Sequence, residues 1–174
     1  GKMTDHITQS QVDELVSVLR YGMARAGDDG VVYSGPKPEA YSDATFAQLM
    51  QEAEKYIGFP YVWGGSSPST SFDCSGFVCW AYTHSGVYNL PRTTAQGIYN
   101  QCAPISRSEA KPGDLVFFTR TYVSSEPVTH IGIYVGDGLM LHCGDPIKYA
   151  SIDTDYWTSK FYGFGRLPLS VSSE

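Results

Sequence analysis

The chain has 174 residues, of which 42% are hydrophobic and 14% aromatic, and its formal net charge is −6 at pH 7. This length and composition predict a folded protein with one hydrophobic core rather than a disordered chain. The acidic balance, without any cluster of Lys and Arg, argues against a nucleic-acid partner. No apolar stretch reaches the roughly 18 to 20 residues that a membrane-spanning helix needs, so we expect no membrane span.

The first 40 residues predict an amphipathic helix followed by a linker. Apolar residues from Val12 to Met23 recur at helical spacing, and Ser10 is a suitable N-cap. A stretch rich in Gly, Pro and Asp follows, so we divide the chain into a helix and linker at residues 1–40 and a main domain at residues 41–174. Because a Gly-Lys start is unusual and no signal-peptide apolar region is present, we expect that an export or anchoring segment has been removed.

Three helices are predicted in the first half of the main domain. One begins at Ser42 or Asp43, and its buried face is expected to comprise Phe46, Leu49, Met50, Ala53 and Ile57. A second runs from Cys74 to about Thr83, and a short third one lies within residues 93–101.

From Gly113 onward the pattern changes to short β-branched and aromatic runs separated by Gly, Pro and Asp, which is typical of an antiparallel meander. The expected strands lie within residues 114–119, 128–135, 139–143, 149–152 and 161–167. Helices that precede strands in this way predict an α+β fold, with N-terminal helices packed on an antiparallel sheet of about five to six strands.

Cys74 differs from the other cysteines because it follows Asp73, a natural N-cap, and therefore lies in the first turn of a helix. In that position, unpaired backbone N–H groups and the helix dipole favour the thiolate form. Ser75 and Gly76 are small and leave room for a substrate backbone. Cys79 points about 140° away from Cys74 on a helix, so the two can share neither a zinc ion nor a disulfide.

The remaining cysteines are interpreted as structural. Cys79 falls among core-like residues and is expected to act as packing material. Cys102 ends a helix and Cys143 ends a strand, and a disulfide between these two stays open. We expect no metal site.

A nucleophilic thiol needs a base, and His130 and His142 lie on two consecutive predicted strands. His84 lies about 15 Å along the same helix as the cysteine and is too far away. A strict two-residue Asp-Gly hairpin would place the two strand histidines on opposite faces. We predict instead an odd-length loop with Gly138 in a left-handed conformation, which pairs His142 with Gly132 and brings both histidines to one face.

Six motifs in order resemble the NlpC/P60 family of cell-wall cysteine peptidases, over about residues 45–168. They are YVWGG (61–65), FDCSGFV (72–78), LPRTTAQ (90–96), KPGDLVFF (111–118), HIGIYVGDG (130–138) and LMLHCG (139–144). The resemblance implies a papain-like α+β fold and hydrolysis of peptidoglycan stem peptides, usually at the bond between D-γ-glutamate and a diamino acid. It also implies an extracellular or cell-wall location, and we expect a monomer that needs no cofactor.

Carried onto this sequence, the family's catalytic roles fall on three residues: the nucleophile Cys74, the general base His130 and the orienting residue His142. Tyr61 would lie near the oxyanion site. Asp73 and Ser75 match positions that in some members hold the free amino end of a stem peptide. The connection at 119–127 is longer than in many members, and residues 1–40 match nothing in the catalytic family.

Three other functions stay open at this point. An amidase with a similar Cys-His site would cut the muramoyl–L-alanine bond. A wall-binding module would have an inactive site, although the presence of Cys74, His130 and His142 argues against it. A structural interaction domain would have no cleft beside the cysteine.

Overall fold

The computed structural model describes Tyr33 and residues 35–168, so the helix predicted near Val12 lies outside the described residues. The elements of the described part, in chain order, are α1 (Asp43–Ala53), β1 (Ser66–Ser67), β2 (Ser71–Phe72), α2 (Cys74–His84), α3 (Ala95–Tyr99), β3 (Ala103–Ile105), β4 (Leu115–Phe118), β5 (His130–Gly136), β6 (Leu139–Cys143), β7 (Ile147–Ser151), α4 (Asp155–Lys160) and β8 (Phe161–Arg166). Short 3-10 helices lie at Glu54–Tyr56 and Arg107–Glu109.

Six of the strands form one antiparallel sheet in the order β3-β8-β4-β5-β6-β7, and β1 and β2 form a separate small pair. The predicted α+β fold, with helices before a sheet of five to six strands, is confirmed. The sequence did not reveal β3, because Ala103–Ile105 is only three residues long and contains Pro104, which a strand tolerates at a sheet edge.

The helix α1 begins where the sequence predicted, because the side chain of Ser42 accepts a hydrogen bond from the backbone N–H of Thr45. Leu49, Met50 and Ala53 are buried, and Phe46 packs against the core from a partly buried position. The prediction that Ile57 is buried was wrong: the chain tightens into the 3-10 helix before it, and its side chain is 43% exposed.

The helix α2 packs on one face of the sheet and is buried along most of its length. Alternation along the strands places Ile131, Leu141 and Cys143 in the same core as α2. The opposite face carries a second, smaller core that includes Phe118 and Met140, against which α4 packs through Trp157.

A buried ion pair joins β8 to the turn before β4. The guanidinium of Arg166 contacts both carboxylate oxygens of Asp114, at 2.7 and 2.8 Å, and also donates to the carbonyl oxygen of Pro38 at 2.8 Å. Tyr41 is buried as well. Residues on both sides of the proposed boundary at 41 therefore pack on the main domain. Within the described range, no helix is long and apolar enough to cross a lipid bilayer.

Candidate active site

Cys74 is the first residue of α2, as predicted from its N-cap. The carboxylate of Asp73 accepts a hydrogen bond from the backbone N–H of Gly76 at 2.8 Å. A Cβ at Gly76 would lie 2.0 Å from the carbonyl oxygen of Gly65, so only glycine allows the 61–65 segment to pass this close to the helix start. Asp73 thus determines where the helix starts, and Gly76 allows the 61–65 segment to pack beside that start.

Burial opposes the thiolate form of Cys74 that the helix start alone would favour. Cys74 is only 5% exposed. Burial is the main cause that raises the pKa of its thiol well above the ordinary value, and the negative charge of Asp73 and the neighbouring Cys143 add to this effect. The backbone N–H of Ser75 lowers the pKa, but the desolvation outweighs it. The sulfur donates a long hydrogen bond, 3.8 Å, to the carbonyl oxygen of Thr129, the residue before His130.

His130 and His142 lie on one face of the sheet and contact each other. His130 begins β5, and His142 pairs with Gly132 across the β5–β6 ladder, which is the register that the sequence predicted. Nε2 of His130 lies 2.9 Å from Nδ1 of His142, with the two rings nearly perpendicular at 85°. Both side chains are buried, so this hydrogen bond lies in a site of low polarity.

The register arises in a different way from the one predicted. The turn contains two residues, Asp137 and Gly138, both at positive φ, and Gly136 pairs with Leu139 to close it. The extra residue lies in a β-bulge at Val135, between the pairs of Tyr134 and Gly136. A bulge and an odd-length loop shift the register by the same amount, so the two histidines share a face in either case.

Burial keeps both histidines neutral near pH 7. It lowers the pKa of His130 well below its ordinary value, and the adjacent His142 lowers it further. Burial also lowers the pKa of His142 to about 4, with Lys148 as the second cause. Because Nε2 of His130 is bonded to His142, its Nδ1 is the nitrogen that is left to accept a proton from a thiol.

Trp157 contacts both histidines, and the sequence analysis missed it. The indole stacks on the His130 ring at a centroid distance of 5.1 Å and an interplanar angle of 23°, and it meets His142 edge-on at 5.4 Å. It lies on α4, whose N-cap Thr154 accepts from the backbone N–H of Trp157. The sequence Thr154-Asp155 was the available signal, since it is a typical helix start.

Asp73 and Ser75 form a hydrogen-bonded network with Arg92. One guanidinium nitrogen of Arg92 lies 2.9 Å from each carboxylate oxygen of Asp73, and another donates to the hydroxyl of Ser75 at 2.7 Å. The backbone N–H of Gly64 donates to the same carboxylate at 3.0 Å. Arg92 belongs to the LPRTTAQ motif, but the sequence alone did not indicate its partner.

Tyr61 lies close enough to Cys74 for the two groups to interact electrostatically. Burial, followed by the nearby Cys74, raises the pKa of the Tyr61 hydroxyl far above its ordinary value, so this hydroxyl stays a hydrogen-bond donor. The long 119–127 connection reaches the same segment, because the ring of Tyr122 packs edge-on against Trp63 at a centroid distance of 5.0 Å. Tyr61 thus lies near Cys74, and the 119–127 connection packs on the same 61–65 segment.

The four cysteines are all free thiols, so the disulfide left open between Cys102 and Cys143 does not form. Cys143 instead donates to the carbonyl oxygen of Phe72 at 3.2 Å, which places it beneath the start of α2. Within the part of the chain that the structure describes, no group of three or more His, Cys, Asp and Glu side chains is arranged to hold a metal ion.

The model of the NlpC/P60 family matches residues 58–166, a range that contains Cys74 and both buried histidines. The chain belongs to the NlpC/P60 family. The resemblance inferred from the six motifs is therefore confirmed.

Similar proteins and a similar solved structure support this assignment. The bifunctional muramidase/DL-endopeptidase CwlT of Bacillus subtilis is 46% identical over 151 residues, which is 86% of this chain and 43% of CwlT. The murein DD-endopeptidase MepH of Escherichia coli is 45% identical over 125 residues, covering 69% of this chain and 44% of MepH. The crystal structure of an NLP/P60-family, lipoprotein-like protein from Staphylococcus aureus Mu50 is 44% identical, with a TM-score of 0.73, over 78% of this chain and 45% of that protein. The chain spans less than half the length of each of these relatives.

Proposed function

We propose that this NlpC/P60 domain is a cysteine peptidase that hydrolyses peptidoglycan stem peptides at the bond between D-γ-glutamate and the diamino acid. The observation that carries the proposal is the buried contact of 2.9 Å between His130 and His142, next to the helix start that holds Cys74. Such a pair can take and return one proton in a site that excludes water. Its substrate implies a location at the bacterial cell wall.

The first chemical step is transfer of the thiol proton to His130. Because the resting thiol of Cys74 is neutral, we propose that it turns away from Thr129 and gives its proton to Nδ1 of His130 as it attacks. His142 accepts a hydrogen bond from Nε2–H of His130 and so holds the tautomer in which Nδ1 is basic. The chemistry then resembles general-base activation rather than a preformed ion pair.

The second step is acyl transfer. The sulfur forms a bond to the amide carbon, and the carbonyl electron pair moves to oxygen, where backbone N–H groups at the start of α2 and the Tyr61 hydroxyl stabilise it. The C–N bond then breaks as the protonated His130 donates its proton to the departing amine. Water, deprotonated by the same imidazole, hydrolyses the thioester and releases Cys74.

The names of the relatives point to two different peptide bonds as the site of cleavage. CwlT is named a DL-endopeptidase and matches 86% of the chain, whereas MepH is named a DD-endopeptidase and matches 69%. We favour the DL bond because the CwlT match extends over more of the chain. The 45% identity to MepH makes cleavage of the DD crosslink the second candidate.

The test is digestion of two defined muropeptides by the purified protein, with products identified by mass spectrometry. We expect a disaccharide tetrapeptide to yield a disaccharide dipeptide that ends in D-γ-glutamate, together with a dipeptide of the diamino acid and D-alanine. Conversion of a crosslinked dimer to monomers would support the DD bond instead. Separation of the sugar from an intact peptide would identify an amidase, and binding without cleavage would identify a wall-binding module.

A free amino end on the stem peptide is not expected to be required. The resemblance assigns this role to Asp73 and Ser75, but one guanidinium nitrogen of Arg92 already contacts both carboxylate oxygens of Asp73, so an ammonium group would have to compete with this ion pair. We expect the free stem tetrapeptide and its N-acetylated form to be cleaved with kcat/KM values within about threefold of each other. A fall in kcat/KM of about tenfold to a hundredfold on acetylation corresponds to the loss of one charged hydrogen bond. That result would indicate that Asp73 binds the free amine.

A further inference from the structure

We propose that Trp157 is a positioning residue for His130, whose indole face holds the imidazole in its reactive orientation and stabilises it when it carries the proton from Cys74. The inference rests on the proposed function, in which His130 exchanges a proton with the thiol. No motif noted in the sequence includes this tryptophan, and it reaches the site from α4, on the sheet face opposite α2.

The geometry restricts the His130 ring in two directions. The hydrogen bond to His142 fixes one nitrogen within the ring plane, whereas the indole stack, at 5.1 Å and 23°, restrains the tilt of that plane. Trp157 is itself held in place, because Phe118 lies 4.5 Å from it and Tyr156 meets it edge-on at 4.8 Å. An indole supported on several sides can act as a rigid platform for the imidazole.

The electrostatics gives the stack a second effect. The face of an indole carries partial negative charge and attracts a cation above it. The titratable or charged groups on the elements around His130 include Cys74 on α2, His142 on β6 and Lys148, which pairs with His142 from β7. The helix α4 itself also carries Asp155 and Lys160. Among them, His142 disfavours a proton on His130, and β4 contributes only the uncharged ring of Phe118. The indole face therefore partly offsets the burial that disfavours the imidazolium.

The test is alkylation of Cys74 by iodoacetamide as a function of pH, followed by mass spectrometry of the peptide that contains it. At pH 7 the thiolate forms only by proton transfer to His130, so we expect Trp157→Leu to slow alkylation about tenfold and Trp157→Phe about threefold. As the pH rises toward about 10, hydroxide removes a growing share of the thiol protons without help from His130, so the difference in rate between the variants and the wild type should shrink. On a muropeptide, kcat should fall by similar factors with KM within about twofold.

Tyr162→Leu is the control, because it removes an aromatic side chain that is 40% exposed on β8 and whose ring packs on Tyr99 rather than on Trp157 or a histidine. It should alkylate at the wild-type rate at both pH values. A purely structural role of Trp157 would expose the cysteine and give equal or faster alkylation at pH 7, which would overturn the inference. If Trp157→Leu fails to fold, Trp157→Phe decides: a rate at pH 7 equal to wild type overturns the inference, and a selective fall at pH 7 supports it.

The experiment separates this inference from the proposed function, because alkylation needs no peptidoglycan. A wild-type protein that cleaves no muropeptide, combined with a selective loss of alkylation at pH 7 in the Trp157 variants, would refute the peptidase and support the positioning role. Cleavage by the wild type with unchanged alkylation in the variants would do the opposite.

Discussion

Cys74→Ala is expected to abolish muropeptide hydrolysis, lowering kcat/KM by roughly ten-thousand-fold or more. Without the sulfur no thioester can form, and a water molecule in its place has neither the nucleophilicity nor the fixed position of the thiol. Cys74→Ser should be nearly as inactive, because the serine hydroxyl is far less acidic than a thiol. The measurement is the initial rate of product formation from the disaccharide tetrapeptide, quantified by chromatography and mass spectrometry.

Cys79→Ala is the matched control for this substitution. Cys79 lies on the same helix, is 5% exposed like Cys74, and donates a comparable long hydrogen bond, 3.6 Å, to the carbonyl oxygen of Pro91. Both alanine variants should lose a similar, small amount of stability in thermal unfolding, but only Cys74→Ala should lose activity. Activity above about 1% of wild type in Cys74→Ala would eliminate the thioester mechanism.

The second large effect is expected at the histidine pair, where substitution of His130 should lower kcat more than substitution of His142. His130→Ala should lower kcat about as much as Cys74→Ala, because it removes the group that takes the proton and returns it to the leaving amine. His142→Leu should cost on the order of a hundredfold, since it removes only the acceptor that orients His130. His142→Asn retains a polar acceptor and should lose less than His142→Leu. The measurement is kcat for each variant at saturating muropeptide.

The pH dependence gives this prediction a further check. The pKa of His142 lies at about 4, below its ordinary value, so this residue stays neutral between pH 5 and 9 and should contribute no limb to the profile in that range. His142→Asn should therefore lower the rate and remove no limb, and any limb that belongs to His130 should move to higher pH, because His142 adds to the effect of burial in lowering the pKa of His130. His84→Ala serves as control, because that ring stacks on Trp80 at the other end of α2. A loss in His142→Leu equal to that in His130→Ala would contradict a purely orienting role.

The position of each proposed catalytic residue could be predicted where short-range signals determine it. The helix start at Cys74 follows from the adjacent Asp73 carboxylate, a local N-cap, and the shared face of the histidines follows from the period of two along a strand. The bulge at Val135 could not be predicted, because the same Gly-rich sequence is also compatible with a longer loop. Either arrangement brings the two histidines to the same face of the sheet.

The features that the sequence did not reveal depend on contacts between distant segments. The helix start that favours a Cys74 thiolate is a local feature, whereas the burial that raises the pKa of this thiol arises only in the folded protein. Trp157 escaped notice for the same reason: its stack on His130 exists only after α4 folds onto the sheet. The partner of Arg92 is also set by the fold, since 19 positions separate it from Asp73.

The buried, protonated thiol of Cys74 has a consequence for the lifetime of the protein. Peroxide and other oxidants attack the thiolate far faster than the thiol, and they need access to the sulfur. The proposed nucleophile, a neutral thiol in a residue that is 5% exposed, is thus protected from oxidants until a substrate carbonyl arrives. Because ordinary thiol reductants do not return a sulfinic acid to the thiol, shielding the sulfur preserves it over the lifetime of the protein.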